Sequence, residues 1–341
     1  WKQRIETNRK VTIPYDFQKC GETGRIANFA IAAGKIDGKH QGFWFNDSDV
    51  FKVIEGAAAS LALHPDPVLE KYLDELIAKI AAAQHEDGYL YTIRTIHGEK
   101  PFRLQRYTGK TRWAYLEHSH ELYNMGHLYE AAVAYYEATG KRTLLNVALK
   151  NADLIDQVFG AEEGQRIDVP GHQEIEIGLV KLYRTTGEQR YLDLAQFFLD
   201  HRGVPEGRKE NRIYGEYWQD HQPVTKQAEA VGHAVRAAEI QLDPIGAGSP
   251  EELVPGTTMK PSGKTMNYPM ALLTTKRARR LQMRCGMSEC SCSMARVNTL
   301  MYSNAFSTTA FWLASRWKET LSFTPIHSRV TPNTASTKVP S

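Results

Sequence analysis

The sequence predicts an all-α fold of stacked helical hairpins, either an open solenoid or a closed α/α toroid. Three observations predict it. Apolar residues recur at three- and four-residue spacing through much of residues 1–245. Helix, Thr-Gly turn, helix units repeat, with Gly140 and Gly187 standing 47 residues apart. Long strands with apolar–polar alternation are missing from this part of the chain.

The segment VLEKYLDELIAKIAAAQ places Val68, Leu69, Tyr72, Leu73, Leu76, Ile77 and Ile80 on one stripe, with Glu70, Lys71, Asp74 and Glu75 elsewhere. The string PDP starts this helix and EDG ends it. HLYEAAVAYYEATG predicts a second helix stopped by Gly140, and KRTLLNVALKNADLIDQVFG a third stopped by Gly160. EIEIGLVKLYRTTG and EQRYLDLAQFFLDHRG form another pair. YEATGKRTLL (136–145) matches YRTTGEQRYL (183–192), and LALHPDPVLEKYL is a looser copy with a proline turn. From about Asp243 the sustained periods vanish, Ser, Thr, Met and Arg dominate, and the final TPNTASTKVPS has a disordered composition.

The composition narrows the function classes. Hydrophobic content of 42% and charged content of 24% suit a globular chain of 341 residues with a large core. A net charge of +3 is too small to argue for nucleic acid, and no nucleic-acid partner is expected. No apolar run approaches the roughly 18–20 residues that span a bilayer, so no membrane partner is expected. No signal peptide is visible and a cytoplasmic location is expected, although a chain that starts at Trp1 leaves an earlier segment open. Three of the four cysteines crowd into Cys285, Cys290 and Cys292, which is not a disulfide framework.

Several side chains invite chemistry. His120, Tyr123 and His127 fall at i, i+3 and i+7 on one helical face, either lining a pocket or completing a core. His172 follows Pro170-Gly171 at a helix start, where a ring presents itself to a ligand or caps the helix. His233 follows Gly232 inside a helix, where glycine admits a close neighbour. Glu174 and Glu176 are a carboxylate pair for acid–base work or, more in keeping with their spacing, solvated helix-face residues. Tyr89, Tyr91 and Trp113 either stack on sugars or belong to the core.

The strings GFWFNDSDVFKVIEG, AAAQHEDGYLYT, LEHSHELYNMGHLYEAAVAYYEATGKRTLL, VPGHQEIEIGLVKLYRTTG and VGHAVRAA occur in that order over residues 1–238. Together they resemble glycoside hydrolase family 127, the β-L-arabinofuranosidases. The resemblance implies an (α/α)6-barrel-type toroid, here incomplete, and a ligand that is an L-arabinofuranose-containing glycan. It implies that His120, His172 and His233 line the sugar pocket, and that Asp47 and Asp49 of FNDSDV support it near the barrel mouth. Where the family often has a glutamine after IPY, this chain has Asp16. The family's chemistry implies zinc held by a Glu and three Cys, a zinc-bound thiolate nucleophile and a separate Glu acid/base. Zinc keeps a thiolate deprotonated at neutral pH, and a covalent glycosyl-enzyme permits retention.

The strings that would carry this chemistry, GEAF, E-T-C or E-S-C and C-A-C-C-P, do not occur here. Shifting the reading of TTKRA (274–278) by one base permits E-T-C, and the same shift over 259–283 permits E-A-F-G-K-D-Y-E-L-P-N-G-T-A-Y-N-E-T-C. The sequence is therefore read as a catalytic-barrel fragment over 1–240 followed by an out-of-frame tail over 241–341 without native fold. On that reading no catalytic residue and no zinc site remain, the chain is inactive, and the cysteine cluster and KRARR (276–280) are by-products of the frame. Two competing readings stay open. One is another α/α-barrel carbohydrate enzyme using Asp and Glu, such as an unsaturated glucuronyl hydrolase type. The other is a non-catalytic helical-repeat binding module.

Overall fold

Hairpin after hairpin winds the chain into two layers of helices. The computed structural model describes residues 2–98, 100–229 and 231–242. Helices α1 (Lys2–Thr7) and α2 (Ile13–Glu22) flank a π-helical turn and lead into α3 (Arg25–Ala32). The first complete hairpin pairs α4 (Asp47–Leu63) with α5 (Pro67–Ala83). Short helices α6 (Thr92–His97), α7 (Gln105–Thr108) and α8 (Leu116–Ser119) line the crossing to the next. Then α9 (Glu121–Thr139) pairs with α10 (Thr143–Val158), and α11 (Glu174–Thr186) with α12 (Gln189–His201); α13 (Ala234–Leu242) follows a long irregular connection. Among the described residues there is no strand, only isolated bridges between Phe159 and Arg166 and between Gly215 and Asp220. None of the helices described is long and apolar enough to cross a membrane.

The inner layer is α4, α9, α11 and α13, in that spatial order. Burial tells inner from outer. Helix α9 is buried around most of its circumference, with Leu122, Met125, Tyr129, Ala132 and Tyr135 all enclosed. Helices α5, α10 and α12 bury one face each, as amphipathic outer helices do. Inner helices α9 and α11 approach backbone to backbone. A Cβ added at Gly126 would fall 2.5 Å from the Glu174 carbonyl, and one at Gly178 would fall 2.7 Å from Gly126 O.

The predicted turns have physical counterparts. Gly140 and Gly187 end α9 and α11 in the left-handed region, at φ of 72° and 77°. Asp66 caps α5 by accepting from Val68 N and Leu69 N. The predicted stripe on α5 is narrower than expected. Leu73, Leu76, Ile77 and Ile80 are buried, but Val68 is 80% exposed and Tyr72 is partly exposed. The expectations placed on the tail over 241–341, with Cys285, Cys290, Cys292 and KRARR, fall almost wholly outside the described residues.

Candidate sugar-binding site

The site forms where the inner helices begin. His120 is not inside a helix, as the periodicity suggested, but caps α9 in the left-handed conformation at φ 57°. Its ring meets Tyr123 at 5.3 Å and His172 at 4.9 Å between centroids. Tyr123 also packs on His127 and on His172, each at 4.6 Å. His172 lies two residues before α11, and its ring is 5.8 Å from that of His233. His233 and Gly232 likewise precede α13 instead of lying within a helix. Gly232 has φ 68°, and a Cβ there would strike the Glu216 and Tyr217 backbone. The chain thus brings His120, His172 and His233 into one line of touching imidazoles.

Hydrogen bonds orient two of these rings. His120 Nδ1 lies 2.6 Å from the carbonyl of His118, which can only accept, so Nδ1 carries the proton and Nε2 is left as an acceptor. Trp44 Nε1 donates to the same carbonyl at 2.7 Å. His172 Nδ1 meets both carboxylate oxygens of Glu239 at 3.0–3.1 Å, which fixes the orientation of this ring. Burial, with His172 beside one ring and Arg236 beside the other, holds both imidazoles well below their ordinary pKa. Neutral rings that offer acceptors suit a ligand rich in hydroxyl donors.

A charged network lies behind the rings. Lys52 Nζ donates to Tyr123 Oη at 2.6 Å and stands 4.8 Å over the same ring. Burial pushes the Tyr123 hydroxyl up to about 12. His127 Nδ1 is 2.7 Å from Glu174 Oε1 and 3.6 Å from Glu130 Oε2, and burial takes this imidazole down to about 4. Glu174 is shifted well upward, by burial and then by Glu130, so its charged form is disfavoured beside the His127 ring. Lys181 Nζ lies 2.5 Å from Glu130 and 3.4 Å from Glu55; despite burial, it keeps Glu130 ionised.

One expectation for carboxylates is overturned. Glu174 and Glu176 are not solvated; both are buried, because α11 belongs to the inner layer. Glu176 lies 3.4 Å from Arg202, itself fully enclosed. Tyr89, Tyr91 and Trp113 are core residues, and Tyr89 Oη donates to Glu121. Asp47 accepts from Thr92 N at 2.9 Å and Thr92 Oγ1 at 2.6 Å, pinning the start of α4 to that of α6. Asp49 pairs with Arg25 at 2.6 Å. Spacing alone did not reveal Trp44, Lys52, Glu130, Lys181 or Glu239. His233, Arg236 and Glu239 do recur at three-residue steps, a helical-face signal that was open to reading.

The charged network behind the rings contains potential metal ligands. His127, Glu130 and Glu174 offer ligand atoms within 4.8 Å of one another and form a group able to hold an ion. The Lys181 ammonium already serves as the cation at Glu130, and the set contains no thiolate. Among the described residues the cysteine is Cys20, buried in α2. These residues do not fit a zinc held by one Glu and three Cys.

Comparison with known proteins agrees with this fold. The model of the β-L-arabinofuranosidase GH127 catalytic domain matches residues 1–249, and the chain belongs to that family. The non-reducing end β-L-arabinofuranosidase of Bifidobacterium longum subsp. longum is 41% identical over 228 residues, covering 62% of this chain and 33% of the relative. A solved GH127 β-arabinofuranosidase superposes with a TM-score of 0.66 at 48% identity, over 71% of this chain and 37% of the other. The GH127 β-L-arabinofuranosidase of Geobacillus stearothermophilus T6 gives 0.65 at 42%, over 72% and 40%. The chain therefore spans about a third of the length of the curated relative it matches.

Proposed function

We propose that residues 1–242 form the sugar-holding part of a retaining β-L-arabinofuranosidase, and that its ligand is the terminal arabinofuranose of an L-arabinofuranose-containing glycan. The observation that carries this reading is the contact line of His120, His172 and His233 around Tyr123 at the starts of three inner helices. The His120 imidazole, with Nε2 free to accept, receives a sugar hydroxyl, the His172 ring offers a second polar contact, and the Lys52 and Tyr123 pair supplies donors beside them. Asp47 and Asp49 support this pocket by fixing the start of α4. In the intact family zinc supplies a thiolate nucleophile. The strings that would carry it are absent from this sequence, so the chain binds the sugar without cleaving it and takes up no zinc.

Calorimetry with methyl β-L-arabinofuranoside tests the reading. The 341-residue chain should bind it, and His172→Ala should weaken binding by about tenfold, the scale of one or two lost hydrogen bonds. No binding by the unsubstituted chain, or equal binding by the variant, sinks the proposal. Release of free arabinose by the chain alone would overturn the claim of inactivity.

A further inference from the structure

The run Phe43-Trp44-Phe45 takes no part in the imidazole line, yet it is built against it. Phe45 lies 5.1 Å from the His120 ring, and Phe43 stacks on Phe45 at 5.3 Å with the planes only 1° apart. Two ring steps thus lead outward from His120 to Phe43, which is 57% exposed. A single exposed phenylalanine is ordinary on a surface. One held rigidly at the rim of a polar pocket is not.

The rigidity comes from three restraints. Trp44 is anchored by its hydrogen bond to His118 O and lies flat on Tyr107, at 4.2 Å and 8°. Asn46 N returns to Phe43 O at 3.3 Å to close the turn. Gly42 starts the turn at φ 84°, where a Cβ would overlap the Asn46 side chain. The backbone at Phe43 is therefore fixed while its ring gains little cover. Such an arrangement pre-forms an apolar plate before any ligand arrives.

We propose that Phe43 is the outer stacking plate of this site, holding the apolar C–H face of the second sugar ring, the one to which the terminal arabinofuranose is joined. The proposal rests on the arabinofuranose reading of the imidazole line. It follows from continuity: a terminal ring held at His120 places its leaving-group ring outward, along the Phe45 to Phe43 direction. A sugar ring has one face of C–H groups, and an aromatic face receives it while its hydroxyls stay in water.

The test compares two ligands on the full chain. One is methyl β-L-arabinofuranoside, with a single ring. The other is the methyl glycoside of a β-linked L-arabinofuranosyl disaccharide. The unsubstituted chain should bind the disaccharide more tightly. Phe43→Ala should weaken the disaccharide about five- to tenfold, the scale of one aromatic contact, and leave the single ring within about twofold. Phe43→Tyr should restore the preference. If the chain binds both ligands and Phe43→Ala weakens neither or both alike, the plate is refuted and the arabinofuranose reading stands. If it binds neither, both fall. If Phe43→Ala turns a sedimenting dimer into a monomer without changing sugar affinity, a second copy of the chain is the occupant and the proposal is overturned.

Discussion

Replacing Gly126 by alanine tests the close approach on which the imidazole line depends. In an exposed helix interior this exchange stabilises by about 1 kcal/mol, because alanine is the better helix former. Here the new methyl would fall 2.5 Å from the carbonyl carbon and oxygen of Glu174 and 2.7 Å from its Cγ. Two of these three atoms are backbone and cannot rotate away. Restoring ordinary contact requires α9 and α11 to separate by roughly 1 Å, and overpacking of that kind costs about 1–3 kcal/mol. With the cost at the upper end, the net loss is about 2 kcal/mol. At a urea m-value of about 2–3 kcal/mol/M, the unfolding midpoint should fall by roughly 0.7–1 M. Gly21 in α2 is the control, because a Cβ there meets nothing within 4 Å. Gly21→Ala should hold or raise the midpoint. An unchanged or higher midpoint for Gly126→Ala would mean that helix propensity outweighs the clash, and the tight α9–α11 contact would be refuted.

Other perturbations test the charges and caps. Lys181→Met leaves Glu130 and Glu55 without their shared cation and should cost about 2–3 kcal/mol by urea unfolding, less than a fully enclosed pair because about a third of the lysine side chain reaches solvent; a loss under about 0.5 kcal/mol would show that water serves as well. Burial raises Asp47 from 3.8 to about 6, so the folded state binds this proton more tightly than the unfolded one. Relative to Asp47→Asn, the unsubstituted chain should then gain stability as pH falls from about 6 towards 3.8 and level off below, with an NMR titration near 6 as the direct check. Asp66→Ala removes the acceptor of two backbone N–H groups at the start of α5 and should cost about 1 kcal/mol, lowering Tm by roughly 2–4 °C without changing sugar affinity.

The hairpins were legible because their punctuation is local. A glycine at Gly140 or Gly187 has to meet a left-handed φ, and no distant residue bears on that demand. The three histidines were legible as strings in order, although their exact backbone setting was not. His120 and His233 both stand just outside the helices to which periodicity would assign them. The buried charges were the illegible part. A carboxylate on α11 looks the same in sequence whether its face meets water or another helix. Spacing alone therefore places Glu174 and Glu176 in solvent, whereas His127 and Arg202 face them. The stripe on α5 failed in the opposite sense. Val68 has the right spacing, but it lies in the first turn, where the neighbouring helices no longer cover it.

The position of the site follows from the alternation of layers. In each hairpin an outer helix returns the chain to the level at which its inner helix began, so successive inner helices run in the same direction. Their starts then gather at one end of the toroid. Phe45 precedes α4, His120 precedes α9, His172 precedes α11 and His233 precedes α13. Ring contacts join them in that order. Residues far apart in the chain meet because each occupies the same place in its repeat. The non-helical backbone at these positions is part of the device. A side chain inside a helix points along a fixed azimuth, whereas a residue just before the first turn can turn inward. That explains the left-handed His120 and the glycines at Gly171 and Gly232. A Cβ at Gly171 would meet the Glu117 carbonyl, and one at Gly232 the Glu216 carbonyl. The repeat builds the scaffold, and the departures from helix at each repeat's first residues build the pocket.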